Sequence, residues 1–248
     1  MNTLDDIGTK GKSGVGVLNK AVMILTFLAE GGPAGLAEVT GGTGLPRPTA
    51  HRLLSALEVH HLVSRREDGR YALGLRLLGW GNRVAGTDLV ESARPALARL
   101  RDETGESTQL YVREGESRVC VVSMERAAGL RDSVPVGAVL PLGLGSAGKA
   151  LLAWSKESSR LDPAELDGIR DRGWAESVAE REAGVASVSA PVFGPDGRLG
   201  AAVCASGPIS RLGDRPGERL GGSVLATARE IERALGPHAP VTRRVASR

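Results

Sequence analysis

Residues 36–73 read LAEVTGGTGLPRPTAHRLLSALEVHHLVSRREDGRYAL. They spell a short helix, a tight turn supplied by Gly41, Gly42 and Gly44, a second helix with a polar leading edge, and a small basic hairpin. That is the order of parts in a winged helix-turn-helix. In the second helix Ala50, Leu53, Leu54 and Leu57 fall at i, i+3, i+4 and i+7, which makes one apolar stripe for packing. The opposite face presents Arg47, Thr49, His51, Arg52 and Ser55. Pro48 has a φ suited to a first helical turn and lacks an N–H that would be idle there, so it sets Arg47 and Thr49 at the N-terminal end. In this motif that end enters the major groove. Guanidinium groups there reach guanine edges or phosphates, Thr49 reaches a thymine methyl or a phosphate, and free backbone N–H groups suit a phosphate.

Downstream, Val63, Arg65, Tyr71 and Leu73 flank Asp68-Gly69, a dipeptide that tolerates the positive φ values of a two-residue hairpin. Arg65, Arg66 and Arg70 then surround the tip of a wing. A lone amphipathic helix with arginines is as readily a solvated surface helix. The complete order of helix, turn, helix and wing favours nucleic-acid binding.

Charge agrees with this. The first 86 residues hold 10 Lys+Arg against 7 Asp+Glu, and the remainder 22 of each, so the whole net charge of +3 lies in the first third. A basic module joined to a neutral one suits a protein whose first part meets a polyanion and whose second meets something else. Aromatic residues make up only 3%, too few for the stacking platforms that hold single strands, which leaves duplex DNA as the polymer. The polar N-terminus and the lack of any long apolar run imply a cytoplasmic protein without membrane attachment.

Along the chain, residues 1–14 read as a disordered tail, 15–74 as the DNA-binding domain, 75–87 as a linker helix, 88–236 as a second domain and 237–248 as a flexible tail. The DNA-binding domain opens with a helix over 18–30. The linker helix, over 75–84, is weakened by Gly79 and Gly81. A long amphipathic helix follows to Thr104, with Pro95 predicting a bend or break. Strand-like runs cover 109–112, 118–124 and 130–135, then a Gly-rich passage 139–154, a helix over 163–172, strands over 185–193 and 199–206, and a last amphipathic helix over 215–235. This is an α+β pattern with a mostly antiparallel sheet.

Catalytic signatures fail on inspection. Residues 143–149 spell G-x-x-x-x-G-K, yet Ala150 stands where a phosphate-binding loop needs a hydroxyl for Mg²⁺, so a nucleotide-binding enzyme is disfavoured. Ser146 is not in G-x-S-x-G, because position 144 is Leu. Cys120 and Cys204 lie in apolar runs and read as core residues. No His, Cys or acidic cluster has metal spacing, so neither catalytic residues, metal nor cofactor is expected. An architectural DNA binder without an effector remains the rival class; the neutral second domain argues against it.

Taken together, GLPRPTAHRLLSALE, GRYALGLRLL, LPLGLGSAGKALLAW and GVASVSAPVFGPDGRLGAAVCASGP resemble, in order, the IclR family of bacterial transcriptional regulators. SGVGVLNKA, TGESTQLY and GLRDSVPVG are also similar to its actinobacterial NdgR-type branch, associated with amino-acid metabolism. The resemblance implies a winged helix-turn-helix joined by a helix to a C-terminal GAF-like effector-binding domain, acting as a homodimer or tetramer on a palindromic double-stranded operator. It implies effector contacts at Ser146, Ala147, Ser177, Ser187, Cys204 and Ser206. The chain departs from the family in two places: Ser177 falls in a segment where many members have an acidic residue, and Cys204 stands where some have Ser. Short hydroxyl and thiol groups with Leu130, Leu142 and Leu144 around them suit a small carboxylic acid or amino acid.

Overall fold

A computed structural model of the chain describes residues 14–81, 87–155 and 161–236. Contacts divide the chain into two units, residues 1–85 and 86–248.

The first unit contains α1 (Gly16–Gly31), α2 (Leu36–Thr43), α3 (Arg47–Val59), β1 (Val63–Arg65), β2 (Tyr71–Leu73) and α4 (Arg76–Gly81). The apolar stripe of α3, Ala50, Leu53, Leu54 and Leu57, packs with Ile24 and Leu28 of α1 and Val39 of α2, closed by Val63 and Tyr71. Burial of the larger of these side chains contributes roughly 1.5–3 kcal/mol each toward holding the three helices together. Two details differ from the sequence reading. Gly41 and Gly42 lie inside α2, and Gly44 alone, at φ 66°, ends it. Gly42 has a packing role instead: a Cβ there would sit 2.0 Å from the Phe27 ring, so its absence lets α1 and α2 close up. The wing, too, is longer than a two-residue hairpin. Arg65 pairs with Tyr71, and Gly69 N–H bonds to Arg66 O. Arg66 N–H also bonds to Arg70 O at 2.8 Å, which leaves Glu67, Asp68 and Gly69 as a three-residue loop with its positive φ at Gly69 alone. Reciprocal backbone bonds between Ala34 and Tyr71 tie the wing to the α1–α2 connection.

The expected linker helix is seen as the short α4; residues 82–86 lie outside the described ones, as do 1–13 and 237–248. In the second unit α5 (Thr87–Thr104) runs through Pro95 without a break. Pro95 and Glu91 are both exposed, so water can satisfy the carbonyl that the proline cannot bond.

Six strands form one antiparallel sheet in the order β5-β4-β3-β8-β7-β6. They are β3 (Ser107–Glu114), β4 (Ser117–Met124), β5 (Val139–Pro141), β6 (Ala175–Val178), β7 (Val185–Phe193) and β8 (Leu199–Pro208). The run 130–135 forms no strand. Cys120 N–H bonds to Ala138 O and Gly137 N–H to Cys120 O, so the outer edge of β4 is taken by the segment leading into β5.

Both faces of the sheet are covered, which explains why β7 and β8 read as nearly continuous apolar runs. On one face Ala93, Leu97 and Leu100 of α5 and Leu220, Val224 and Ile231 of α9 (Pro216–Ala234) meet Val188, Val192 and Val203. On the other, α6 (Ser146–Ala153) and α7 (Pro163–Arg172) supply Leu151 and Ile169 against Tyr111, Cys120, Ala202 and Cys204. The short α8 (Ile209–Leu212) joins β8 to α9.

Candidate functional site

Two sites emerge, one in each unit. In the first, Arg47, His51 and Arg52 are exposed along the polar face of α3, with Thr49 and Ser55 half-buried beside them. Proline shapes the leading end. Pro46 and Pro48 carry no N–H, and the N–H groups of Thr49 and Ala50 bond to Pro46 O. Few backbone donors remain there for a phosphate, so side chains must make the contacts.

The three wing arginines are not equivalent. Arg65 lies over the Tyr71 ring at 5.7 Å. Arg70 donates through Nη2 to both carboxylate oxygens of Glu38 at 3.1 Å; Arg66 has no side-chain partner among the described residues. Glu38 also accepts from Gly35 N–H at 2.7 Å, capping α2.

In the second unit a cleft opens on the α6 side of the sheet. Its floor comes from Tyr111 of β3, Arg118 of β4, Cys204 and Ser206 of β8, Ser187 of β7 and Ser177 of β6; Gly145, Ser146 and Ala147 at the start of α6 and Asp132, Arg181, Glu182 and Val185 complete it, around a cavity of about 20 Å³. All six residues named for effector contact therefore line one cleft, although they come from four separate segments.

The start of α6 is held against the sheet. Ser146 Oγ donates to Ser187 Oγ at 2.7 Å and lies 2.8 Å from Ser189 Oγ. Gly148 has no room for a side chain, since a Cβ would lie 1.9 Å from Leu142 O. Lys149 turns away to Glu165 at 2.8 Å and Glu180 at 2.5 Å. Burial alone would lower its pKa, but the two carboxylates prevail and the net direction is upward. Glu180 also accepts from Gly145 N–H. The lysine and the first N–H that a phosphate-binding loop would use are thus both bound to carboxylate.

The thiols are quiet. Burial pushes the Cys120 pKa up to about 12 and that of Cys204 upward as well, which suppresses the thiolate that reactive cysteines need. Among the described residues no group of three or more His, Cys, Asp and Glu could hold a metal ion, and no helix is long and apolar enough to cross a membrane.

Reading the sequence missed Tyr111, Arg118, Asp132, Arg181 and Glu182. Arg118 was legible in principle: it alternates with Cys120 along a strand, and a charged residue at an inward position of such a strand is unusual. Asp132 and Arg181 lie in connections 49 residues apart and give no local signal. The expected aliphatic surround is not found. Leu130 and Leu144 are exposed and Leu142 packs into the core, so the cleft is more polar than the sequence implied.

Residues 17–67 match the model of the IclR helix-turn-helix domain. Residues 82–163 and 161–233 match that of the bacterial transcriptional regulator IclR C-terminal domain.

The chain belongs to the IclR family.

It is 30% identical over 250 residues to the HTH-type transcriptional regulator RhmR of Escherichia coli K12, covering 92% of this chain and 96% of that one. It is 27% identical to the transcriptional repressor IclR of the same organism, over 88% and 89% of the two chains. The crystal structure of the Thermotoga maritima IclR superposes with a TM-score of 0.69 at 25% identity, covering 89% of this chain and 99% of that one. An IclR homolog of Microbacterium hydrocarbonoxydans, solved in complex with 4-hydroxybenzoate, gives a TM-score of 0.69 at 23% identity over 88% and 98% of the chains. The curated relatives are named as transcriptional regulators and repressors, not enzymes, and this IclR-family member is a DNA-binding regulator of transcription with an IclR-type C-terminal domain.

The Glu38–Arg70 contact yields a prediction. Glu38→Gln removes a negative charge from the DNA-facing unit and frees Arg70 for phosphate, while an amide oxygen can still cap α2. Duplex affinity in a fluorescence titration should rise by about 2- to 5-fold, as expected for one surface ion pair; an unchanged or lower affinity would remove Arg70 from the phosphate-binding set.

Proposed function

We propose that this regulator reads a palindromic operator through Arg47, Thr49, His51, Arg52 and Ser55, holds flanking phosphates with Arg65, Arg66 and Arg70, and is switched by a small carboxylic acid or amino acid in the cleft of its second unit. Convergence of Ser146, Ala147, Ser177, Ser187, Cys204 and Ser206 on that cleft is the observation that carries the reading. Hydroxyls, a helix N-terminus and buried cations together favour a short organic anion over a sugar or a nucleotide. The NdgR-like segments point to genes of amino-acid metabolism as targets, and the setting is cytoplasmic.

Two copies act together on this reading. At the start of α1, Val15, the residue just before the helix, and Leu18 and Val22 within it form an exposed apolar stripe at i, i+3 and i+7, 52%, 52% and 44% exposed, with Val17 beside it at 60%. A second copy of the chain across a two-fold axis covers such a stripe and supplies the second recognition helix that a palindrome demands. Leu18→Lys should shift the sedimentation of the full chain toward monomer and weaken operator binding. Unchanged sedimentation would place the two-fold contact elsewhere.

Base reading and phosphate holding separate by mutation. Arg47→Ala or Arg52→Ala should cost about 1 to 3 kcal/mol on the operator and much less on random duplex, whereas Arg66→Ala should weaken both alike and flatten the salt dependence. Equal losses on operator and random DNA for both recognition-helix variants would exclude them from base reading.

The cleft is tested by filling it. Ser206 is buried and donates to Gln109 Oε1 at 3.1 Å, so Ser206→Phe blocks the floor and leaves the sequence of the DNA-binding unit unchanged. Operator affinity should be retained while any metabolite-induced change in it disappears. A variant that still responds would place the effector outside this cleft.

A further inference from the structure

Arg118 is a buried cation with no counter-ion among the described residues. It is 3% exposed. Its Nη1 donates to the carbonyls of Pro141 and Leu144, the latter at 2.6 Å, and its guanidinium lies over the Tyr111 ring at 5.3 Å. Its Nε is buried and has no partner. Among the described residues no carboxylate pairs with it. The neighbouring cations are different: Arg181 is bound to Asp132 at 2.7 Å, and Lys149 to Glu165 and Glu180.

Its placement sharpens the imbalance. The guanidinium lies against the first turn of α6, so close that a Cβ on Gly145 would be 3.3 Å from its Nη2 and one on Gly148 3.1 Å from its Nη1. A helix begins with a positive end, so two positive features meet there; Glu180 accepts from Gly145 N–H but forms no ion pair with Arg118 among the described residues. The pKa directions follow the geometry. Burial lowers that of Arg118, whereas for Arg181 burial is outweighed by Asp132 and the net direction is upward. A buried charge without a partner is costly unless something supplies one. Arg118 lines the cleft, which is where a partner can enter.

We propose that Arg118 is the charge anchor of the effector: a carboxylate entering the cleft docks at the guanidinium and the start of α6, and Arg118 thereby makes the site select acids over neutral molecules of the same shape. The proposal rests on the cleft being the effector site and adds which residue sets its chemical class. Arg181 is not the anchor, because Asp132 already neutralises it. An oriented guanidinium can hold both oxygens of a carboxylate, which an ammonium or a hydroxyl cannot do in the same way.

The test is a thermal-melt titration of the full chain with straight and branched monocarboxylates of three to six carbons, and with 4-hydroxybenzoate, each beside its primary amide. The unmodified protein should be stabilised by at least one acid, by about 5 to 10 °C near a hundred times its Kd, and by none of the amides. Arg118→Gln should lose that response by at least tenfold in apparent affinity, and Arg118→Lys should keep part of it. Stabilisation of the unmodified protein by amides as strongly as by acids would overturn the proposal, and this comparison needs no variant. An acid response that persists in Arg118→Gln but is lost in Ser206→Phe overturns the role of Arg118 and leaves the cleft as effector site. No response of the unmodified protein to any acid or amide overturns both.

Discussion

The close approach of α6 to the sheet is the constraint on which the second unit depends. Gly148 sits where any side chain would strike Leu142 O, and the Ser146 hydroxyl reaches Ser187 and Ser189 on β7. Those contacts put the first turn of the helix directly over small side chains of β7 and β8, and the space left beside it is the cleft. The glycine-rich passage is therefore a packing device first. Its likeness to a phosphate-binding loop comes from the same need for closeness, with carboxylates at the positions a phosphate would take.

Polar groups around this contact fall into two kinds. Most are satisfied: Lys149 by two glutamates, Arg181 by Asp132, Ser206 by Gln109. Buried pairs of this sort add little net stability but cost several kcal/mol when one partner is removed, so they fix geometry more than they strengthen it. The other kind is incomplete. Arg118 Nε and Gln109 Nε2 are both buried without partners among the described residues, one lining the cleft and the other on the side chain that holds Ser206. Unsatisfied groups that persist beside a cavity are where a ligand finds its donors.

The DNA-binding unit was legible because its signals are local. Stripe periodicity, Pro48 and the Asp68-Gly69 turn all act within a few residues, so α3 and the wing could be placed from sequence, and the two-residue turn failed only because Arg66 bonds to Arg70 and leaves a three-residue loop ending in Gly69. Gly41 and Gly42 misled for the opposite reason. Their purpose is the distant Phe27, which no local pattern reveals. In the second unit the strands were visible through their apolar runs, whereas the edge at β5 and the lining by Asp132 and Arg181 depend on loops meeting across the sheet. The serines of the cleft came from family resemblance; the charges that give it a chemical character did not.

An effector that lowers or raises operator affinity must by thermodynamic necessity have its own affinity changed by the operator to the same factor. The most direct measurement is a calorimetric titration of a stabilising carboxylate into the full chain, alone and saturated with operator. Coupling of roughly 5- to 150-fold in the carboxylate Kd, matched by an equal shift in operator Kd when the carboxylate saturates, is the expected result. A carboxylate that binds free and operator-bound protein equally would contradict the account, because a ligand indifferent to the DNA-bound state cannot regulate it.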